Sequence, residues 1–273
     1  MMHSLRCYKG ITTSPHHLAS QAGSDVLKDG GTAVEACVAI AAALAAVYPH
    51  MTGIGGDGFW LIHEPDGRVH AIDACGGAAA KANLGLYAGM SKIPWRGPLS
   101  ANTVAGTISG WKRALADDAG TLALDRLLRD AIDLAEAGVA VTCGGAELAA
   151  AKHAELVDQP GAYAATFAPA GRPLREGELL RQPALARTLR ALAENGLQDF
   201  YEGKLARSIA QDLAKLGSPV SEDDLAHHAA TKPDPLTIAV KDACLFNPAP
   251  PTQGLASLLI LALFDRLGVS EGE

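Results

Sequence analysis

The chain has 273 residues, 48% of them hydrophobic and 19% charged, with a formal net charge of −7. That is enough apolar material to bury a sizeable core, as one large domain or two small ones. No basic block offsets the acidic balance, which argues against a nucleic-acid groove or an anionic membrane surface and points to a small molecule or another protein chain as partner.

The start, "MMHSLRCYKG", has no apolar stretch behind its basic residues, and the longest apolar run, residues 36–48, is too short to span a bilayer. The expectation is a cytoplasmic protein, or a periplasmic one if a signal peptide has been removed. Residues 20–28 and 32–47 read as two helices separated by "DGG", the second apolar on nearly every face from Ala36 onward and therefore expected to be covered all round. Residues 59–64 and 69–74 flank "PDG" and predict a β-hairpin. Helical patterns follow at 104–117, 122–137, 184–195 and 199–216, with an irregular surface segment at 158–178. A late strand at 236–246 runs through "NPAPPTQG" into an apolar helix at 255–267. So few strands leave any sheet to be completed by something outside this sequence.

Between the apolar helix and the hairpin, Gly53, Gly55 and Gly58 spell G-x-G-x-x-G. A dinucleotide fingerprint needs a strand before it and a helix N-terminus after it, and here the order is helix, glycines, hairpin. The glycines are read instead as serving positive φ or close backbone packing, and no cofactor is expected. Cys7, Cys37, Cys75, Cys143 and Cys244 are odd in number and never C-x-x-C, so buried free thiols are expected rather than a disulfide framework or a zinc site. Of nine histidines, four form the pairs His16-His17 and His227-His228, which without H-E-x-x-H or a Cys/His cluster are read as surface or capping residues. "SEDDLAHH" opens with Ser221 and three acids, as a helix N-terminus prefers. G-x-S-x-G is absent around Ser109, and Thr12-Thr13 could act as an N-terminal nucleophile only after removal of residues 1–11.

Five strings in order carry a resemblance: "HHLASQAGSDVLKDGGTAVEACVAIAAALAAVYPHMTGIGGDGFWLI", "AIDACGGAAAKA", "RGPLSANTVAGTISGW", "ENGLQDFYEGKLARSIAQDL" and "NPAPPTQGLASLLILALF". Together they resemble the N-terminal part of the gamma-glutamyltransferase family of N-terminal-nucleophile (Ntn) hydrolases. The resemblance implies an α+β fold, the helix-rich part of a four-layer αββα sandwich incomplete without its C-terminal subunit. It implies that residues 1–273 are a single large-subunit segment ending before the nucleophile. In that family a precursor cuts itself and exposes a threonine at the start of the small subunit. Here that threonine would lie beyond Glu273, past the PP-x-x-G element of Pro250, Pro251 and Gly254. No catalytic residue is therefore expected in this chain, which would be inactive alone, and the implied partner is the C-terminal small subunit.

Two departures bear on specificity. The family's substrate-carboxylate arginine follows the second hairpin strand in an Asp-x-Arg context, and aligning "AIDACGGAAAKA" places Cys75 there, two after Asp73. A thiol cannot replace a guanidinium fork, and Gly76 and Gly77 offer no cation. Cys75 and Gly76 are thus the candidate substrate-binding residues, and the expected substrate is a small acyl amide without that carboxylate, unless Arg96 reaches in or activity has been lost. Thr32 and Glu35 replace the family's usual Asn and Asp after the double glycine, a change read as local to the start of the helix. The competing readings are a non-catalytic binding or remnant domain and a nucleotide-dependent oxidoreductase.

Overall fold

The computed structural model describes residues 6–268. Helix α1 (His17–Lys28) starts at His16, whose Nδ1 accepts from the Leu18 amide at 3.3 Å. Just upstream, the Thr12 hydroxyl donates to the Ser20 carbonyl at 2.9 Å, a tie to the first turn of α1. Helix α2 (Ala33–Val47) opens with a reciprocal capping box between Thr32 and Glu35. Gly23 of α1 lets the two helices approach closely: a Cβ there would lie 2.5 Å from Ile40 Cγ1 of α2. The opposite flank of α2 receives α4 (Leu124–Ala137), and α4 in turn packs on α7 (Pro183–Asn195). Ala42, Ala43, Leu128, Ala131, Leu189 and Leu192 from these layers lie in one core cluster.

Glu35 does more than begin a helix. It is 2% exposed. One carboxylate oxygen accepts from Thr32 N at 2.8 Å and the other from Leu122 N at 2.7 Å, so it ties α2 to the start of α4. Thr32 Oγ1 meanwhile donates to Asp118 at 2.5 Å. The substitution of these two positions is therefore tertiary in its effect, because a buried carboxylate must find donors wherever the fold supplies them.

Strands β1 (Gly58–His63) and β2 (Val69–Ala74) pair antiparallel, with Gly58 opposite Ala74 and His63 opposite Val69. Helix α3 (Thr107–Asp117) lies on this hairpin, and at Gly110 a Cβ would touch both Ala74 Cβ and Trp60 Nε1 at 3.0 Å. The helix starts at Thr107 rather than Val104, because Val104 donates its amide to Gly77 as part of an extended segment.

Several elements differ from the sequence expectation. Helix α5 (Cys143–Leu156) was not expected: it begins Cys-Gly-Gly, is rich in alanine and buries only Gly145, so no apolar periodicity marks it. The segment expected to be irregular holds α6 (Tyr163–Phe167), and the short strands β3 (Val139–Ala140) and β4 (Leu179–Leu180) bracket this region. The helix expected over 199–216 is broken into α8 (Asp199–Glu202) and α9 (Lys204–Leu216). Asp199 Oδ1 turns onto Lys204 N at 2.8 Å and occupies the space a Cβ at Gly203 would need. The acidic start at Ser221 heads α10 (Glu222–Ala226) through a capping box with Asp224. The late strand is a hairpin, β5 (Leu236–Val240) and β6 (Ala243–Asn247), joined by Lys241-Asp242, which lacks the glycine that usually announces a tight turn. Helix α11 (Gly254–Arg266) leans on it.

The thiols are free but not buried: Cys7, Cys37, Cys143 and Cys244 are exposed and Cys75 is half-buried. Cys37 is exposed because α2 is not covered all round. Ala33 and Cys37 are open, and Ala41 and Leu44, on the same helical stripe, are half-open. Among the described residues, no helix is long and apolar enough to cross a membrane.

Candidate functional site at the end of the first hairpin

The site forms where β2 leaves its hairpin. Asp73 exchanges backbone hydrogen bonds with Thr231, at 3.0 and 2.8 Å, which pins the strand end to the segment after α10. Two residues on, the Cys75 amide donates to Asp73 Oδ1 at 2.8 Å. Asp57, the last residue before β1, accepts from the Gly76 amide at 2.9 Å and from the Cys75 thiol at 3.6 Å. Cys75 thus sits between two carboxylates. Burial, then the Asp57 charge and hydrogen bond, then Asp73 push its thiol pKa up, so the sulfur stays protonated.

Gly76 is required by contact. A Cβ there would fall 1.6 Å from the Val104 carbonyl oxygen, and one at Gly106 would fall 1.8 Å from that of Ala74. Two backbone segments therefore cross at van der Waals distance behind Cys75. Further along, Ala80 N donates to Asp224 Oδ1 at 2.8 Å, so the α10 capping carboxylate also holds the segment after Cys75.

The glycine loop meets the same crossing. Gly106 N and Thr107 N both donate to the Gly56 carbonyl at 2.8 Å, and Thr107 Oγ1 donates to it at 2.9 Å. The N-terminus of α3 faces the glycines, although no helix follows them directly in the sequence. Its amides are spent on a carbonyl rather than left open for a pyrophosphate. Nor do Gly53, Gly55 and Gly58 have positive φ, and a Cβ at Gly53 or Gly55 would meet nothing within 4 Å. Within the described residues neither expected reason for those two glycines applies.

Behind the crossing lies a network the sequence did not announce. Ser109 Oγ donates to the Gly106 carbonyl at 2.8 Å and contacts His228 Nε2 at 2.9 Å. Since the single hydroxyl proton is on the carbonyl, His228 Nε2–H is the donor. Tyr201 lies tilted against the His228 ring, donates to the Ala105 carbonyl at 2.8 Å and accepts from Ser109 N at 2.8 Å. Burial raises the Tyr201 pKa to about 12. Burial also lowers that of His228, against the opposing pull of Asp57 and Asp73. Ser109 is buried and its proton committed, so it is a brace and not a nucleophile. His227 is exposed and bonds the Asp223 carbonyl, as a capping residue does. His228 is the member of the pair that departs from that reading, and its partner is 119 residues away.

The sequence candidates Cys75 and Gly76 therefore share one site with Asp57, Asp73 and the glycine loop. Arg96 is engaged elsewhere: it pairs with Glu155 of α5 at 3.4 Å.

A family model described as gamma-glutamyltranspeptidase matches residues 19–273. The chain belongs to the gamma-glutamyltranspeptidase family. It is 52% identical over 268 residues to the oxamate amidohydrolase proenzyme of Klebsiella pneumoniae, covering 97% of this chain and 51% of that one. It is 36% identical to the glutathione hydrolase-like YwrD proenzyme of Bacillus subtilis, covering 97% and 50%. The Helicobacter pylori gamma-glutamyltranspeptidase crystal structure superposes with a TM-score of 0.90 at 31% identity, covering 97% of this chain and 77% of that chain. The α+β fold is accordingly that of this Ntn-hydrolase family, and the chain spans about half the length of the curated relatives it matches.

Proposed function

We propose that residues 1–273 are the large-subunit portion of an Ntn amidohydrolase that cleaves or transfers a small acyl group from an amide, and that they act with a C-terminal small subunit. The threonine nucleophile would lie beyond Glu273, its hydroxyl activated by its own amine and the oxyanion held by backbone amides of the small subunit. Cys75 and Gly76 would line the acyl side of the pocket. This chain alone would have no amidase activity.

The observation that carries the specificity is the pair of carboxylates around Cys75. The position that the resemblance assigns to a carboxylate-binding arginine holds a protonated thiol between Asp57 and Asp73. A gamma-glutamyl donor would bring its α-carboxylate, four bonds from the scissile carbonyl, against like charge. Oxamate carries its carboxylate directly on the reacting carbonyl, so it would not extend so far. The oxamate amidohydrolase relative, at 52% identity, supports a donor of that small size.

The test compares kcat/KM of the full-length protein for oxamate and for gamma-glutamyl-p-nitroanilide, before and after Cys75→Arg. Oxamate should be preferred, and the arginine should raise glutamyl turnover at least about tenfold, as one charge-assisted pair would. Preferred turnover of the glutamyl donor by the unmodified protein, or indifference to Cys75→Arg, would overturn the reading.

A further inference from the structure

Helices α5 and α6 and the end of α2 enclose a cavity of about 390 Å³ that the chemistry above does not use. Val141, Leu148, Leu156, Phe167, Leu174 and Leu180 make its walls apolar. Arg96 and Lys152 also line it, and they share the single carboxylate of Glu155, at 3.4 and 2.8 Å. Two cations on one anion leave a positive charge in surplus at the cavity. Tyr163 also lines the cavity, with its hydroxyl oxygen buried out of contact with the open space.

Size narrows the occupant. A cavity of about 150 Å³ holds a benzene ring, so one of 390 Å³ takes about fifteen heavy atoms. We propose that this cavity is a binding site for a small amphipathic carboxylate, with its apolar body against Leu148 and Phe167 and its carboxylate at Lys152 and Arg96. Apolar walls with a few convergent polar groups are what such ligands require. Neutral molecules of the same shape lack the partner for the surplus charge, and dianions exceed it.

Titration calorimetry of the full-length protein with β-naphthoxyacetate, which combines a bicyclic body, an ether oxygen and a carboxylate, tests this. One saturable site is expected. β-Naphthoxyethanol, without the charge, should bind about tenfold more weakly, and Lys152→Gln should weaken the acid by a similar factor, as loss of one charge-assisted contact does. Leu148→Trp should abolish binding by filling the space, with circular dichroism confirming that it folds. No saturable binding up to about 1 mM overturns the site. So does binding indifferent to Lys152→Gln, or a full-length structure in which another segment of polypeptide fills the cavity. Amide turnover plays no part in these readouts, so they stand apart from the proposed activity.

Discussion

Helices α2 and α11 are both strongly apolar, and they end in opposite situations. Helix α2 buries ten of its fifteen residues, most of them alanine or valine, against α1 and α4. Helix α11 buries only Gly254 and Leu258, while Leu259, Ile260, Leu263 and Phe264 are all more than half exposed. Phe59 and Leu61 on β1 add to the apolar surface left open. Apolar composition states that a helix has to be covered and leaves the cover unspecified. For α2 it comes from within the chain, and for α11 the open face is of the kind that marks an interface.

Outside both helices, the backbone crossing behind Cys75 has no slack and gives the largest expected effect. Gly76→Ala would drive a Cβ into the Val104 carbonyl oxygen and should cost more than about 4 kcal/mol of the full-length protein's stability in urea unfolding. A tolerated alanine there would show that the crossing behind Cys75 is looser than drawn.

The open region is probed by Leu259→Glu together with Phe264→Glu. If α11 is buried in the full-length protein, the pair should cost about 3–6 kcal/mol and impair assembly with the rest of the polypeptide, measured by size exclusion and unfolding. An unchanged protein would mean that α11 faces water, and the contrast with α2 would then be one of exposure alone.

Next in size is Glu35→Ala, which strips acceptors from the amides of Thr32 and Leu122 and should cost about 2–3 kcal/mol. Loss below about 0.5 kcal/mol would show that water satisfies both amides and that Glu35 is not the tie between α2 and α4.

The smallest effect concerns pH. Burial holds the pKa of His228 below 6.5, so the folded chain binds its proton less readily than the unfolded chain. Stability is then fully present above pH 6.5 and falls as pH drops through the folded value. His16 and His50, also lowered by burial, contribute with the same sign. His228→Gln should therefore flatten part of the acid limb of stability against pH, at a cost of about 1 kcal/mol for the altered bond to Ser109. An acid limb identical to that of the unmodified protein would remove His228 from the buried network.

Much of the local structure was legible because its signals are local. The capping box at Ser221, the Pro-Asp-Gly hairpin and the apolar run of α2 are each written within a few residues. Helix α5 was illegible because alanine and glycine carry no periodicity, and the β5–β6 turn because Lys-Asp is not a turn signature. The site was legible in part. Cys75 and Gly76 are candidates proposed by aligning one string to the family, whereas the carboxylate of Asp57 and the His228–Ser109–Tyr201 brace join segments far apart in the chain.

The amino-acid order alone was enough for the family, the first two helices and the first hairpin, because each depends on near neighbours or on matching strings. Folding in three dimensions decided that Glu35 reaches the turn before α4 as well as its own helix start, that Asp57 and Asp73 both flank Cys75, and that α2 is covered over most of its surface while α11 is not. Hydrogen-bond satisfaction and burial are settled by whichever groups the backbone brings within about 3 Å. Those groups are seldom neighbours in the chain.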